Sequence, residues 1–171
     1  MTDGVTDYAG ELASLHADLR ELGATVAVAE SLTGGLLAAA LTATPGASAT
    51  VRGGLVVYAS DLKATLAGVS ARLLDERGAV DPDVAMALAR GARTRLGATY
   101  GLGVTGVAGP DPQDGKAVGT VFLALAGPDD ETVAERTFTG DRAAIRAEAV
   151  AATLEVLKRE CASAITALRS L

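Results

Sequence analysis

One histidine, one cysteine and no tryptophan stand among the 171 residues, and aromatic residues amount to 3%. With Cys161 alone no intrachain disulfide forms, and with His16 alone beside it no Cys/His zinc set can be assembled. Basic residues are also scarce: 15 Lys and Arg against 21 Asp and Glu leave a net charge of −6. That balance argues against nucleic acid and anionic membranes as partners, since both need a basic patch that displaces counterions. No apolar run approaches the roughly 18 residues of a membrane span. Met1-Thr2-Asp3-Gly4 lacks the basic flank and apolar stretch of a signal peptide, so a cytoplasmic protein is expected. Core formers are abundant, with hydrophobic residues at 49% and charged residues at 21%. A chain of this length buries roughly 70% of the surface its unfolded form exposes, and a single domain over residues 1–171 is expected.

Leu12, Leu15, Leu19 and Leu22 recur at helical spacing and predict an amphipathic helix ended by Gly23, with His16 a surface or half-buried residue beside the stripe. ATVAVAE at 24–30 reads as a short buried strand and TGGLLAAALT at 33–42 as a helix. GGLVVY at 53–58 is a second strand, followed by a helical patch from Ser60 to about Ala67 and by a helix that Asp81-Pro82 opens and that runs to about Leu96. TYGLGVT at 99–105 and VGTVFLALA at 118–126 are further strands, and TVAERTFT at 132–139 alternates like an edge strand. The last helix begins near Asp141. Its stripe of Leu154, Leu157, Cys161, Ile165 and Leu168 faces the core, which makes Cys161 a small buried hydrophobe. The order predicts a three-layer α/β/α sandwich with a mostly parallel, mixed β-sheet, and residues 109–117 form its one evident long loop.

Two phosphate-binding patterns fail on context. GLGVTG at 101–106 spells G-x-G-x-x-G, but inside a strand that leads to a Pro-containing loop, not at a turn that opens a helix. Gly109 to Lys116 departs from a P-loop in spacing, lacks a following Ser or Thr, and carries two prolines where amides should face phosphate.

Glu30-Ser31-Leu32-Thr33-Gly34-Gly35 places a hydroxyl between a strand and a helix start, where free backbone N–H groups can stabilise an oxyanion. The alternative is that Ser31 or Thr33 only caps the helix and the glycines allow close packing. A serine nucleophile needs a base, and with the single histidine remote that base is Lys or Tyr. Lys63 follows Tyr58 by five residues at the end of the second strand, the same sheet edge as Ser31 if the strands are parallel. A solvated lysine with a half-buried tyrosine is the competing reading. Arg142 and Arg146 lie four residues apart in the first turns of the last helix, where the macrodipole opposes positive charge, so they either meet an anionic ligand or pair with Asp141, Glu148 or another acid.

AESLTGG at 29–35, Tyr58 with Lys63, TGVAGPD at 105–111, VGTV at 118–121 and GDRAAIR at 140–146 together resemble a known family. From about Gly23 onward, in order and spacing, the chain is similar to the carboxy-terminal domain of the competence-damage-inducible proteins, the nicotinamide-nucleotide amidohydrolases. Larger members add an amino-terminal domain related to molybdopterin-binding proteins, for which this chain has no room, so a stand-alone domain is expected. The resemblance implies hydrolysis of the carboxamide of nicotinamide mononucleotide (NMN) to nicotinate mononucleotide and ammonia, in pyridine nucleotide recycling, without metal or organic cofactor. It implies Ser31 as nucleophile, Lys63 and Tyr58 as the groups that activate it, and Thr105 and Arg146 as site residues. With Thr33, Gly34, Gly106 and Arg142 these complete the expected substrate site: amides near Thr33 and Gly34 hold the oxyanion, and Arg146 with Arg142 meets the phosphate. Expected partners are the small-molecule substrate and further copies in a homo-oligomer, with no nucleic acid and no membrane. The competing class is a non-catalytic nucleotide-binding or assembly domain linked to competence and DNA damage. Leu32 stands where many members have cysteine and is expected to pack inward. Ala117 stands where a proline is frequent. Asp61 replaces a common asparagine and is expected to raise the pKa of Lys63 and weaken it as a base.

Overall fold

A computed structural model describes residues 9–170. Its elements, in chain order, are α1 (Ala9–Glu21), β1 (Val26–Glu30), α2 (Leu36–Thr42), β2 (Val51–Val56), α3 (Ser60–Thr65), α4 (Ala71–Arg77), α5 (Pro82–Leu96), β3 (Tyr100–Gly106), β4 (Thr120–Ala126), β5 (Glu131–Thr137) and α6 (Arg142–Leu168). One five-stranded sheet runs in the order β2-β1-β3-β4-β5. β1 pairs in parallel with β2 and β3, and β4 pairs antiparallel with both β3 and β5. The sheet is mixed as expected, but its pairings divide evenly between the two senses. No helix separates β3 from β4 or β4 from β5, and without a crossover consecutive neighbours must reverse direction.

The alternation of a strand sorts side chains into two cores. Val26 and Val28 of β1 pack with Leu102, Val104, Leu123 and Leu125 against Leu15 and Leu19 of α1, Leu37 and Leu41 of α2, and Leu154, Leu157 and Cys161 of α6. Ala27 and Ala29 face the other way, onto Val57, Val84, Leu88 and Ala92. Burial pushes the Cys161 thiol up to about 12, so it sits in the core as a protonated, inert group. The small residues opposite α5 have a specific use. A Cβ on Gly101 would meet the Ala89 carbonyl, and one on Gly103 the Ala85 carbonyl, so the glycines of GLGVTG let α5 lie close on β3.

Three local expectations need correction. The helix placed at 33–42 begins only at Leu36, because Gly34 and Gly35 adopt φ of 58° and 99° and turn the chain before it. α4 over 71–77 was not anticipated, since it is a short helix with no fully buried residue and rests on the core only through partly buried Leu73 and Leu74. His16 is fully buried, not half-exposed. Its Nε2 lies 2.9 Å from the Leu41 carbonyl and its Nδ1 2.7 Å from Thr50 Oγ1, so it ties α1 to α2 and to the entry of β2. Burial lowers its pKa, and the neutral ring then donates from Nε2 and accepts at Nδ1. No helix among the described residues is long and apolar enough to cross a membrane.

Candidate active site

The carboxyl ends of β1 and β3 open on a cavity of about 420 Å³. Ser31, Leu32, Tyr58, Thr105, Gly106 and Arg142 are among its lining residues. Ser31 continues β1 by one residue: its N–H donates to the Val104 carbonyl at 3.0 Å, which extends the pairing of Glu30 with Val104 and sets Ser31 beside Thr105. Ligand sites of open α/β sheets form at this end of the strands. Leu32 lines the cavity and packs into the core at 3% exposure.

The turn that carries Ser31 is held from below by Glu30. This fully buried carboxylate accepts from Gly35 N at 3.1 Å and Leu37 N at 3.0 Å on Oε2, and from Ala38 N at 2.9 Å on Oε1. The amide of Gly34 donates to the Ser31 carbonyl. Of the two amides expected to face an oxyanion, that of Gly34 is therefore already satisfied, as are those of Gly35, Leu37 and Ala38. Among the described residues, the N–H groups of Leu32 and Thr33 have no partner, and Thr33 Oγ1 is buried without one. Thr33 is fully buried and is not one of the residues that line the cavity.

Lys63, on α3, is 1% exposed. Its Nζ donates to the backbone carbonyls of Val57 at 2.8 Å and Tyr58 at 3.2 Å. An ammonium has three hydrogens, and two carbonyls leave the third without a partner in this set. Burial holds the pKa below its ordinary value, opposed in part by the Asp114 carboxylate. The negative charge acting on Lys63 is thus Asp114, from the 109–117 loop. Asp61, expected in that role, is exposed on α3.

Tyr58 and the two arginines are arranged differently from expectation. The Tyr58 side chain is 59% exposed on the cavity rim, and its hydroxyl accepts from Arg142 Nη2 at 2.8 Å. Tyr58 thus meets Lys63 through its backbone carbonyl, with its phenol engaged elsewhere. Arg142 also donates to the Gly109 carbonyl at 2.6 Å, so it bridges two sides of the cavity mouth. Arg146 donates from Nε to the Leu32 carbonyl at 2.9 Å and from Nη2 to the Thr33 carbonyl at 3.1 Å. It braces the serine turn from behind, where it was expected at the phosphate. Among the described residues neither arginine pairs with a carboxylate, while Asp141 caps α6 through the Ala144 amide.

Residues 11–161 match the CinA C-terminal domain. The chain belongs to that family. It is 54% identical over 136 residues to a CinA-like protein of Frankia casuarinae, covering 80% of this chain and 31% of the relative. A CinA-like protein of Acidobacterium capsulatum is 51% identical over 138 residues, 80% of this chain and 33% of that protein. The chain thus spans about a third of the length of these curated relatives. Among solved structures, the competence/damage inducible protein CihA from Agrobacterium tumefaciens superposes with a TM-score of 0.83 at 39% identity, covering 87% of this chain and 93% of that one. A CinA superfamily protein from Klebsiella pneumoniae gives a TM-score of 0.85 at 32% identity, with 90% and 97% covered.

Two residues of this CinA domain escaped the sequence reading. Glu30 had a signal, since a lone carboxylate in the buried strand VAVAE must find donors. Asp114 had only that of a turn, as the first residue of Asp114-Gly115. Among the described residues, no group of three or more His, Cys, Asp or Glu is placed to hold a metal ion.

Proposed function

We propose that this domain hydrolyses the carboxamide of NMN to nicotinate mononucleotide and ammonia in pyridine nucleotide recycling, with Ser31 as nucleophile and Lys63 as its base. The observation that carries this reading is Lys63: a buried amine, pKa lowered by desolvation, whose two carbonyl acceptors account for two of its hydrogens. In its neutral form both hydrogens point at Val57 and Tyr58, and the lone pair remains to take a proton.

Ser31 Oγ bonds to the carboxamide carbon while its proton passes to Lys63 Nζ. The developing oxyanion is assigned to the N–H groups of Leu32 and Thr33, which follow Ser31 directly and have no partner among the described residues. The carbon–nitrogen bond then breaks, the proton on Lys63 leaves with ammonia, and an ester on Ser31 remains. Water attacks the ester with Lys63 again as base, which releases nicotinate mononucleotide and returns the proton to Ser31. Arg142, at the mouth and without a carboxylate partner, is suited to the ligand phosphate. Arg146 supports the reaction indirectly by holding the turn.

The test is ammonia release from NMN by the wild type and by Ser31→Ala. Among the described residues the Ser31 side chain makes no hydrogen bond, so its loss should change stability by less than about 1 kcal/mol while turnover vanishes. Binding of NMN by the wild type without ammonia release would instead identify a nucleotide-binding module.

A further inference from the structure

Thr105 carries a hydroxyl whose hydrogen is already committed. Its Oγ1 donates to the Ala79 carbonyl at 2.7 Å, and the residue is 1% exposed. A hydroxyl has one hydrogen and two lone pairs, so with the hydrogen on Ala79 it offers the cavity it lines acceptors only. The carbonyl that imposes this polarity is itself held. The amides of Ala79 and Val80 both donate to Asp114 Oδ2, at 2.7 and 3.1 Å, across more than thirty residues of sequence. Gly78, at φ 77°, lies so near that a Cβ would stand 2.6 Å from the Asp114 carboxyl carbon. Asp114 and Gly115 form the tip of a two-residue turn, both at positive φ, closed by reciprocal bonds between Gln113 and Lys116. The exposed loop thereby grips the 78–80 segment, and that segment sets the direction of the Thr105 hydroxyl.

We propose that Thr105 is a specificity-determining acceptor that reads the amide hydrogens of the substrate, and that Asp114 is a positioning residue that keeps the Thr105 hydroxyl turned to Ala79. The identity of the donor rests on the amidase reading above. A carboxamide presents N–H donors, whereas the carboxylate product presents only acceptors. An oxygen that shows lone pairs attracts the first and repels the second. Placement agrees: Ser31 and Thr105 are neighbours across β1 and β3, so the carbon under attack and the nitrogen attached to it fall beside adjacent side chains.

The proposal is tested by calorimetric binding of NMN and of nicotinate mononucleotide to the full chain carrying Ser31→Ala, which removes turnover. The same measurement is made with Thr105→Val, Asp114→Ala or Asp114→Asn added. The Ser31→Ala chain should bind the amide about tenfold more tightly than the acid, and Thr105→Val should bring the ratio within about threefold. Asp114→Ala should collapse the ratio similarly. Asp114→Asn should restore it, because one amide oxygen can accept the two N–H bonds that Oδ2 accepts; this rescue also controls for the lost charge and for folding. A ratio unchanged by Thr105→Val or by Asp114→Ala, no rescue by Asp114→Asn, or no binding of either nucleotide would overturn the proposal. The expected ratios with a wild type that releases no ammonia would sink the amidase reading alone.

Discussion

Replacing Glu30 with Ala removes the acceptor from three backbone N–H groups at once, those of Gly35, Leu37 and Ala38. Leu37 is fully buried and the other two are half-buried. A buried donor left unpaired costs about 1–3 kcal/mol, and water reaches the half-buried pair in part, so the sum is about 3–5 kcal/mol. α2 cannot absorb that loss by itself, since its seven residues are too few for a helix stable without tertiary support. Glu30→Gln is milder. Its oxygen can keep the Gly35 and Leu37 bonds while its NH2 group meets the Ala38 N–H donor to donor, at about 1–2 kcal/mol. At roughly 2–4 °C per kcal/mol for a chain of this size, Tm should fall by about 6–20 °C for Ala and about 2–8 °C for Gln. Thermal melts give these values directly. Ammonia release, measured well below both melting points, should fall in the same order, because the Ser31 turn rests on this carboxylate. An Ala variant within about 1 kcal/mol of wild type, or a Gln variant as damaged as Ala, would show that the three amides find other partners and that the anchor lies elsewhere.

The remaining predictions concern charge. In the proposed reaction neutral Lys63 is the active form, and burial holds its pKa below 10.5, so kcat/KM should rise with pH and level off below the ordinary lysine range; a midpoint at or above 10.5 would remove Lys63 as the base. Arg142→Ala should lower kcat/KM for NMN on the order of tenfold more than for the phosphate-free riboside, whereas Arg146→Ala should lower both equally, since it acts on the Leu32 and Thr33 carbonyls. The reverse pattern in the two substrates would exchange their roles. His16 has its pKa lowered by burial from 6.5, so the unfolded chain takes up a proton first as pH falls. Stability should be full above about pH 6.5 and decline below it; His16→Gln should flatten that dependence, and an unchanged pH slope in the variant would exclude His16 as its source.

What the chain determined by itself is local. Apolar spacing placed α1 and α6, Asp81-Pro82 marked the start of α5, and Asp141 the start of α6, because periodicity and capping act within a few residues. Scarcity was equally informative: one histidine and three lysines narrowed the candidates for a base beside Ser31 to Lys63 or a tyrosine. Tertiary structure decided which group each donor meets. Arg142 reaches Tyr58 across 84 residues, Arg146 reaches Leu32 across 114, and Asp114 reaches Ala79 across 35. In sequence Arg142 and Arg146 are equivalent cations four residues apart on one helix; in the fold one faces the cavity mouth and the other the back of the serine turn. The capping of α2 turned on the same distinction, since free amides at a helix start are a local property, but the buried carboxylate that satisfies them is fixed only when β1 enters the sheet. A hydrogen bond depends on a few tenths of an ångström and on direction, and neither exists until chain segments distant in sequence have packed.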